Sequence, residues 1–155
     1  MEKNLEKAKS YALNLLQIRQ RSEKELIDRL SEKGYSDEIQ KKVVGQLKDI
    51  GLVCDSKFAK AWIDSRLKAR PKGDVVLRHE LALKGIDEGI IDKALSEKQK
   101  TEEVLARELA ENRMKRLKGV PKLKAKKRLH DYLARRGFKF DVIEDIVEKV
   151  IEGCK

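Results

Sequence analysis

One pattern recurs three times along this chain and constrains its fold more than any other feature. Leu26-x-x-x-Leu30-x-x-Lys33-Gly34-Tyr35 returns as Leu77-x-x-x-Leu81-x-x-Lys84-Gly85-Ile86, and again as Leu129-x-x-x-Leu133-x-x-Arg136-Gly137-Phe138. The glycines stand 51 and then 52 residues apart. Downstream, Ile39, Ile90 and Val142 coincide, as do Val43, Ala94 and Ile146, and Val44, Leu95 and Val147. Upstream, Ala8 matches Ala59 and Ala110, and Ala12 matches Ile63 and Met114. A fixed period of this length marks a tandem array of small supersecondary units. The extra residue of the third unit falls near Pro121, between helices, where an insertion is tolerated.

Each unit reads as three helices. They are expected near 3–20, 22–34 and 36–50 in the first, near 55–70, 73–85 and 87–97 in the second, and near 101–117, 122–137 and 141–152 in the third. The leucine pairs lie four apart, on one face of each middle helix. Ile39, Val43, Val44 and Leu47 form a comparable stripe on the third helix of the first unit. Ser22-x-x-Glu25 has capping-box spacing and Asp141-x-x-Glu144 is a close variant, while Asp55 and Asp87 are candidate N-caps. Gly34, Gly85 and Gly137 stand where each middle helix must stop, and glycine takes the left-handed conformation there at little steric cost. The fold class is therefore all-α, with repeats at 1–52, 53–99 and 100–155. Each unit has a small core, so neighbours bury surface against each other, and an elongated, curved array is expected. Composition agrees: 41% of residues are charged, 5% aromatic and only two are proline, which suits helices with solvated faces better than strands.

The formal net charge is +10, and it is unevenly distributed. Residues 1–105 carry 22 basic and 19 acidic side chains; residues 106–139 carry 13 basic and 3 acidic; residues 140–155 carry 2 and 5. The excess therefore lies in the first two helices of the third unit, on Arg113, Lys115, Arg116, Lys118, Lys122, Lys124, Lys126, Lys127, Arg128, Arg135 and Arg136. Such a cluster can neutralise phosphates with release of counterions, and it can equally meet an acidic protein surface. The bland alternative is a solvated face kept basic for solubility, although surface charge is more usually mixed in sign. A weaker basic set, Arg19, Arg21, Arg66, Lys68, Arg70, Lys72 and Arg78, gathers where first and middle helices meet in units one and two.

The signatures of catalysis are absent. The chain has no phosphate-cradling glycine loop, no metal-type spacing of His, Cys and carboxylates, and no nucleophile paired with a base. His79 and His130 read as surface or boundary residues. Cys54 and Cys154 read as ordinary thiols in a reducing cytoplasm. No cofactor or metal is expected. The chain has no apolar run of the roughly 18 residues needed to span a bilayer, and Met1-Glu2-Lys3-Asn4-Leu5 lacks the apolar stretch of a signal peptide. Trp62, with Phe58, Ala59 and Ile63, falls on the apolar face of its helix; base stacking or docking into a partner is the other option.

The ordered motifs resemble one family. Arg19-x-Arg21-Ser22-x-x-Glu25-Leu26-x-x-x-Leu30-x-x-x-Gly34 is similar to the opening signature of RecX regulatory proteins. It is followed by Leu47-x-x-x-Gly51-Leu52-Val53-x-Asp55-x-x-Phe58-Ala59, then by Pro71-Lys72-Gly73 and Glu80-Leu81-x-x-Lys84-Gly85-Ile86, and finally by Leu133-x-Arg135-Arg136-Gly137-Phe138. The resemblance spans about residues 8–150. It implies tandem three-helix repeats forming a crescent, in a protein that acts in DNA repair, homologous recombination and the SOS response; the three-fold repeat itself leads one to expect a monomer. It further implies binding in the groove of the RecA nucleoprotein filament, inhibition of its recombinase, ATPase and co-protease activities, and some weak direct contact with DNA. One departure is Cys54, which stands where the family more often has a polar Asn or Asp. A different class remains open: three-helix units can mimic helix-turn-helix domains, which read duplex DNA. Against it, the third helices carry Asp37, Glu38, Asp87, Glu88, Asp92, Asp141, Glu144, Asp145 and Glu148, an unsuitable charge for approaching phosphates.

Overall fold

The protein is described here by a computed structural model covering residues 2–153; Cys154 lies outside the described residues. Among these, nine α-helices and no strand occur. They are α1 (Glu2–Ile18), α2 (Glu23–Glu32), α3 (Asp37–Asp49), α4 (Asp55–Ala69), α5 (Asp74–Leu83), α6 (Glu88–Ser96), α7 (Glu102–Met114), α8 (Lys122–Arg135) and α9 (Phe140–Gly153). A 3-10 turn, Lys115–Leu117, extends α7. The all-helical expectation holds, with the helices close to where the repeat put them.

Local chemistry explains the boundaries. Ser22 accepts the Glu25 N–H while the Glu25 side chain reaches back to the Ser22 backbone, a complete capping box. Ser36 and Thr101 cap α3 and α7 in the simpler way, each accepting one backbone N–H. Asp87 precedes α6 and accepts the Gly89 N–H at 3.1 Å, as an N-cap should. Two expected caps are corrected. The last helix starts at Phe140, so Asp141 lies inside its first turn and bonds the adjacent Val142 N–H instead of closing a box with Glu144. Likewise α4 starts at Asp55 itself, which leaves that carboxylate free to act elsewhere. Gly34, Gly85 and Gly137 have φ of +88°, +78° and +85° and end the middle helices as expected.

The chain forms two compact units, one containing residues up to Trp62 together with Leu81–Ala94, the other Ile63–Glu80 together with Leu95 onward. The core of the first is built by Ala8 and Ala12 of α1, Leu26 and Leu30 of α2, and Ile39, Val43, Val44 and Leu47 of α3. The small alanines let α1 approach closely. In the second, Leu105, Ala106 and Ala110 of α7 meet Ala125, Leu129 and Leu133 of α8 and the Val142, Ile143, Ile146 and Val147 stripe of α9. Leu77 and Leu81 of the middle repeat are completely buried. Leu123 departs from expectation. A leucine six residues before Leu129 on the same helix is expected on its apolar face, yet Leu123 is 83% exposed and Ala125 is buried. The stripe runs at i, i+4 and i+8 through Ala125, Leu129 and Leu133, which turns Leu123 away.

The end of one middle helix meets the start of another once in each unit. In the first, Ser22 Oγ donates to the Lys84 carbonyl at 2.8 Å. In the second, at equivalent repeat positions, the Gly73 N–H donates to the Arg136 carbonyl at 2.7 Å and the Val75 N–H to the Gly137 carbonyl at 3.2 Å. Donors at one helix start, a cap hydroxyl in the first unit and backbone N–H groups in the second, thus meet carbonyls at another helix end. A carboxylate completes each junction. Asp55 accepts the Glu23 N–H at 2.9 Å, and Glu102 accepts the Asp74 N–H at 3.0 Å. Burial pushes both carboxyl groups above their ordinary pKa.

A pH prediction arises from Glu102. A raised folded-state pKa means that the folded protein holds this proton more tightly than the unfolded chain does. The contribution of Glu102 to stability therefore falls as pH rises through the carboxylate range. Glu102→Gln keeps an acceptor for the Asp74 N–H and removes the titration. It should be at least as stable as the parent at neutral pH and lose that advantage in acid, as measured by urea unfolding across pH.

Candidate functional site

The site is assembled in the second unit from the end of α7, the 3-10 turn and α8. The buried stripe of α8 is narrow, so most of its circumference faces solvent. Lys122, Lys124, Lys126, Lys127, Arg128 and Arg135 are all exposed there, joined by Lys115, Arg116 and Lys118 on the turn before the helix. None of these nine forms an ion pair among the described residues. The two other cations assigned to this surface are half-buried and engaged. Arg113 lies over the Tyr132 ring, 4.8 Å from its centroid. Arg136 lies 5.2 Å from the same centroid and donates to the Pro71 carbonyl at 3.3 Å, which makes it part of the helix junction.

The upstream basic set is different in kind. Arg19 pairs with Glu25 at 2.5 Å. Burial raises the Glu25 carboxyl pKa, but the Arg19 hydrogen bond and the Ser22 N–H outweigh it and hold the group below its ordinary value. Arg66 and Lys72 both bond Glu80, at 2.8 and 3.0 Å. Arg21 is buried, and its Nε has no hydrogen-bond partner. Burial, then the nearby Arg19 charge, lowers its pKa. Arg78 is half-buried, and Arg70 and Lys68 are exposed. Paired and buried cations release few counterions, so Arg19, Arg21, Arg66 and Lys72 are less suited to polyanion contact than the exposed Lys68 and Arg70.

Two concavities in the second unit escaped sequence reasoning. A groove of about 700 Å³ has an apolar floor of Met114, Leu117, Val120, Val150 and Ile151 and a rim that includes Lys115, Lys118 and Lys122. A cleft of about 470 Å³ is lined by Arg113, Arg116, Leu117, Arg128, Asp131 and Arg135. Each brings together residues from different helices, and only the spacing of Arg128 and Arg135, two turns apart on α8, hinted at a shared face.

Trp62 is half-buried and stacked on Phe58 at 5.9 Å, with Lys84 Nζ 5.3 Å from its ring centroid. Those contacts agree with a packing role. His130 sits beside Phe140, with ring centroids 5.7 Å apart. No helix of the described residues is long and apolar enough to cross a membrane.

Known proteins resemble this chain along nearly its whole length. The first three-helix domain of RecX matches residues 8–47, the second 55–95 and the third 101–147. A regulatory protein RecX from Mycolicibacterium smegmatis is 36% identical over 150 residues, covering 92% of this chain and 78% of the relative. Another, from Chlorobium phaeobacteroides, is 35% identical and covers 95% of both chains. The crystal structure of RecX from Lactobacillus salivarius shares the fold, with a TM-score of 0.88 over 97% of this chain and 98% of that one, at 24% identity.

Proposed function

The chain belongs to the RecX family of regulatory proteins, which modulate RecA, and from that premise we propose that its third repeat carries it onto the RecA nucleoprotein filament. The repeats are taken as 1–52, 53–99 and 100–155. Bound in the filament groove in the cytoplasm, as a monomer, the protein restrains the recombinase, ATPase and co-protease activities of RecA. It acts as a regulator and not as an enzyme. Direct contact with DNA is a secondary part of the same binding.

One observation carries the placement on the third repeat. Nine exposed cations there lack an acidic partner, whereas Arg19, Arg66 and Lys72 upstream are neutralised by Glu25 and Glu80. Unpaired, solvated cations are the ones whose contact with phosphates displaces counterions and steers a polyanion. A helix-turn-helix reading has less support. Asp37 and Glu38 on α3, and Glu144, Asp145 and Glu148 on α9, are exposed and would face the phosphates of a duplex.

The test is binding to three targets: RecA assembled on single-stranded DNA with a non-hydrolysable ATP analogue, the same DNA bare, and a duplex. The filament should bind most tightly, the bare strand more weakly, and the duplex without sequence preference. Tight binding to one duplex sequence, with none to the filament, would move the protein to the helix-turn-helix class.

A further inference from the structure

Arginine and lysine are segregated on the basic surface. Residues 106–139 contain six arginines and seven lysines. Arg107 is paired with Glu111 at 3.0 Å, and Arg136 is bonded to the Pro71 carbonyl. The other four arginines, Arg113, Arg116, Arg128 and Arg135, all line the cleft of about 470 Å³, and no lysine lines it. Arg113 and Arg116 are three residues apart at the end of α7 and its 3-10 turn, forming one wall. Arg128 and Arg135 are two turns apart on α8, spanning about 10 Å along that helix. Leu117, largely buried in the core, is the apolar residue of the lining, and the Tyr132 ring beneath Arg113 restrains its guanidinium.

We infer that this cleft is a discrete clamp for the phosphodiester groups of a single nucleic-acid strand, distinct from the diffuse attraction of the lysines around it. The inference rests on the reading of the third repeat as a polyanion-binding surface and names the ligand chemistry of one part of it. A lysine ammonium is a strongly hydrated point charge; a guanidinium is a planar fork that grips two oxygens at once. A carboxylate offers only two oxygens and is satisfied by one such fork. Four forks lining one cleft match successive phosphates, whose free oxygens each accept from more than one direction. The concave form suits a single strand, which can follow it more closely than a stiff duplex. Asp131 in the same cleft offsets part of the charge, so it tunes the clamp toward weaker, reversible binding.

Charge-preserving substitution separates the clamp from simple attraction. One variant carries Arg113→Lys, Arg116→Lys, Arg128→Lys and Arg135→Lys. A second omits Arg113, whose ring contact also serves packing. Binding to a labelled oligothymidylate is measured over a salt series, with duplex DNA and poly-glutamate as competing polyanions. Both variants should lose about tenfold or more in affinity for the oligothymidylate while keeping its salt slope. Asp131→Asn should bind more tightly, and Lys3→Arg with Lys7→Arg, exposed in the first repeat, should change little. Parental affinity in both arginine variants would overturn the clamp, and so would equal competition by duplex or poly-glutamate. That failure differs from failure of the wider reading, which would appear as undiminished filament binding after charge reversal on α8.

Discussion

Reversing Lys124, Lys126, Lys127 and Arg128 to Glu should remove most of the protein's hold on a RecA filament and on single-stranded DNA, with the fold intact. All four side chains are exposed, and the core face of α8 is made by Ala125, Leu129 and Leu133. None of the four pairs with an acid among the described residues, so their loss breaks no ion pair there. Each cation that meets a phosphate contributes close to one unit to the slope of log affinity against log salt. Removing four should weaken binding on the order of a hundredfold at low salt and flatten the salt dependence. Lys3→Glu, Lys7→Glu, Lys41→Glu and Lys42→Glu form the control. These residues are also exposed but lie in the nearly neutral first repeat, and their reversal should cost far less. Equal loss in both variants would mean that overall charge drives binding. Loss in neither would return the cluster to a solvated face.

Gly137→Ala should be strongly destabilising, and Gly34→Ala much less so, although the two glycines occupy the same place in the repeat. Both have left-handed backbones, with φ of +85° and +88°. An alanine in that conformation costs about 1–2 kcal/mol wherever it stands. The surroundings differ. A Cβ on Gly137 would collide with Val76 Cγ2 and come within 2.8 Å of the Val76 backbone nitrogen, whereas one on Gly34 meets nothing within 4 Å. Gly137→Ala must therefore also force the α5 start away from the α8 end, breaking the Val75–Gly137 hydrogen bond. Overpacking of this kind adds roughly 1–3 kcal/mol. Chemical unfolding should place Gly137→Ala at about 2–5 kcal/mol below the parent and Gly34→Ala near the strain cost alone. Equal costs would show that the junction contributes nothing beyond backbone strain.

Much of this architecture was legible because it is local. Gly34, Gly85 and Gly137, the leucine pairs before them and the Ser22 capping box are each defined by residues within a few positions of one another. What the sequence concealed is long-range. Asp55 caps α2 across 32 residues and Glu102 caps α5 across 28, and a helix-start carboxylate looks the same whether it serves its own helix or another. The Arg66–Glu80 pair, 14 residues apart, likewise neutralises a cation that composition leaves free. Leu123 precedes the α8 stripe by two residues, and a lone leucine there does not reveal which way the first turn faces. Within the basic cluster, the charge excess was plain from counting. The convergence of four arginines on one cleft depends on how α7 and α8 pack, through Leu105, Ala106 and Ala110 against Ala125 and Leu129.

RecA-dependent ATP hydrolysis on single-stranded DNA, measured with and without this protein, bears most directly on its role as a RecA regulator acting through the third repeat. The parent protein should suppress hydrolysis at less than one molecule per RecA, and the α8 charge-reversal variant should suppress it weakly. Undiminished hydrolysis at equimolar parent protein, with its helical fold verified by circular dichroism, would contradict that role.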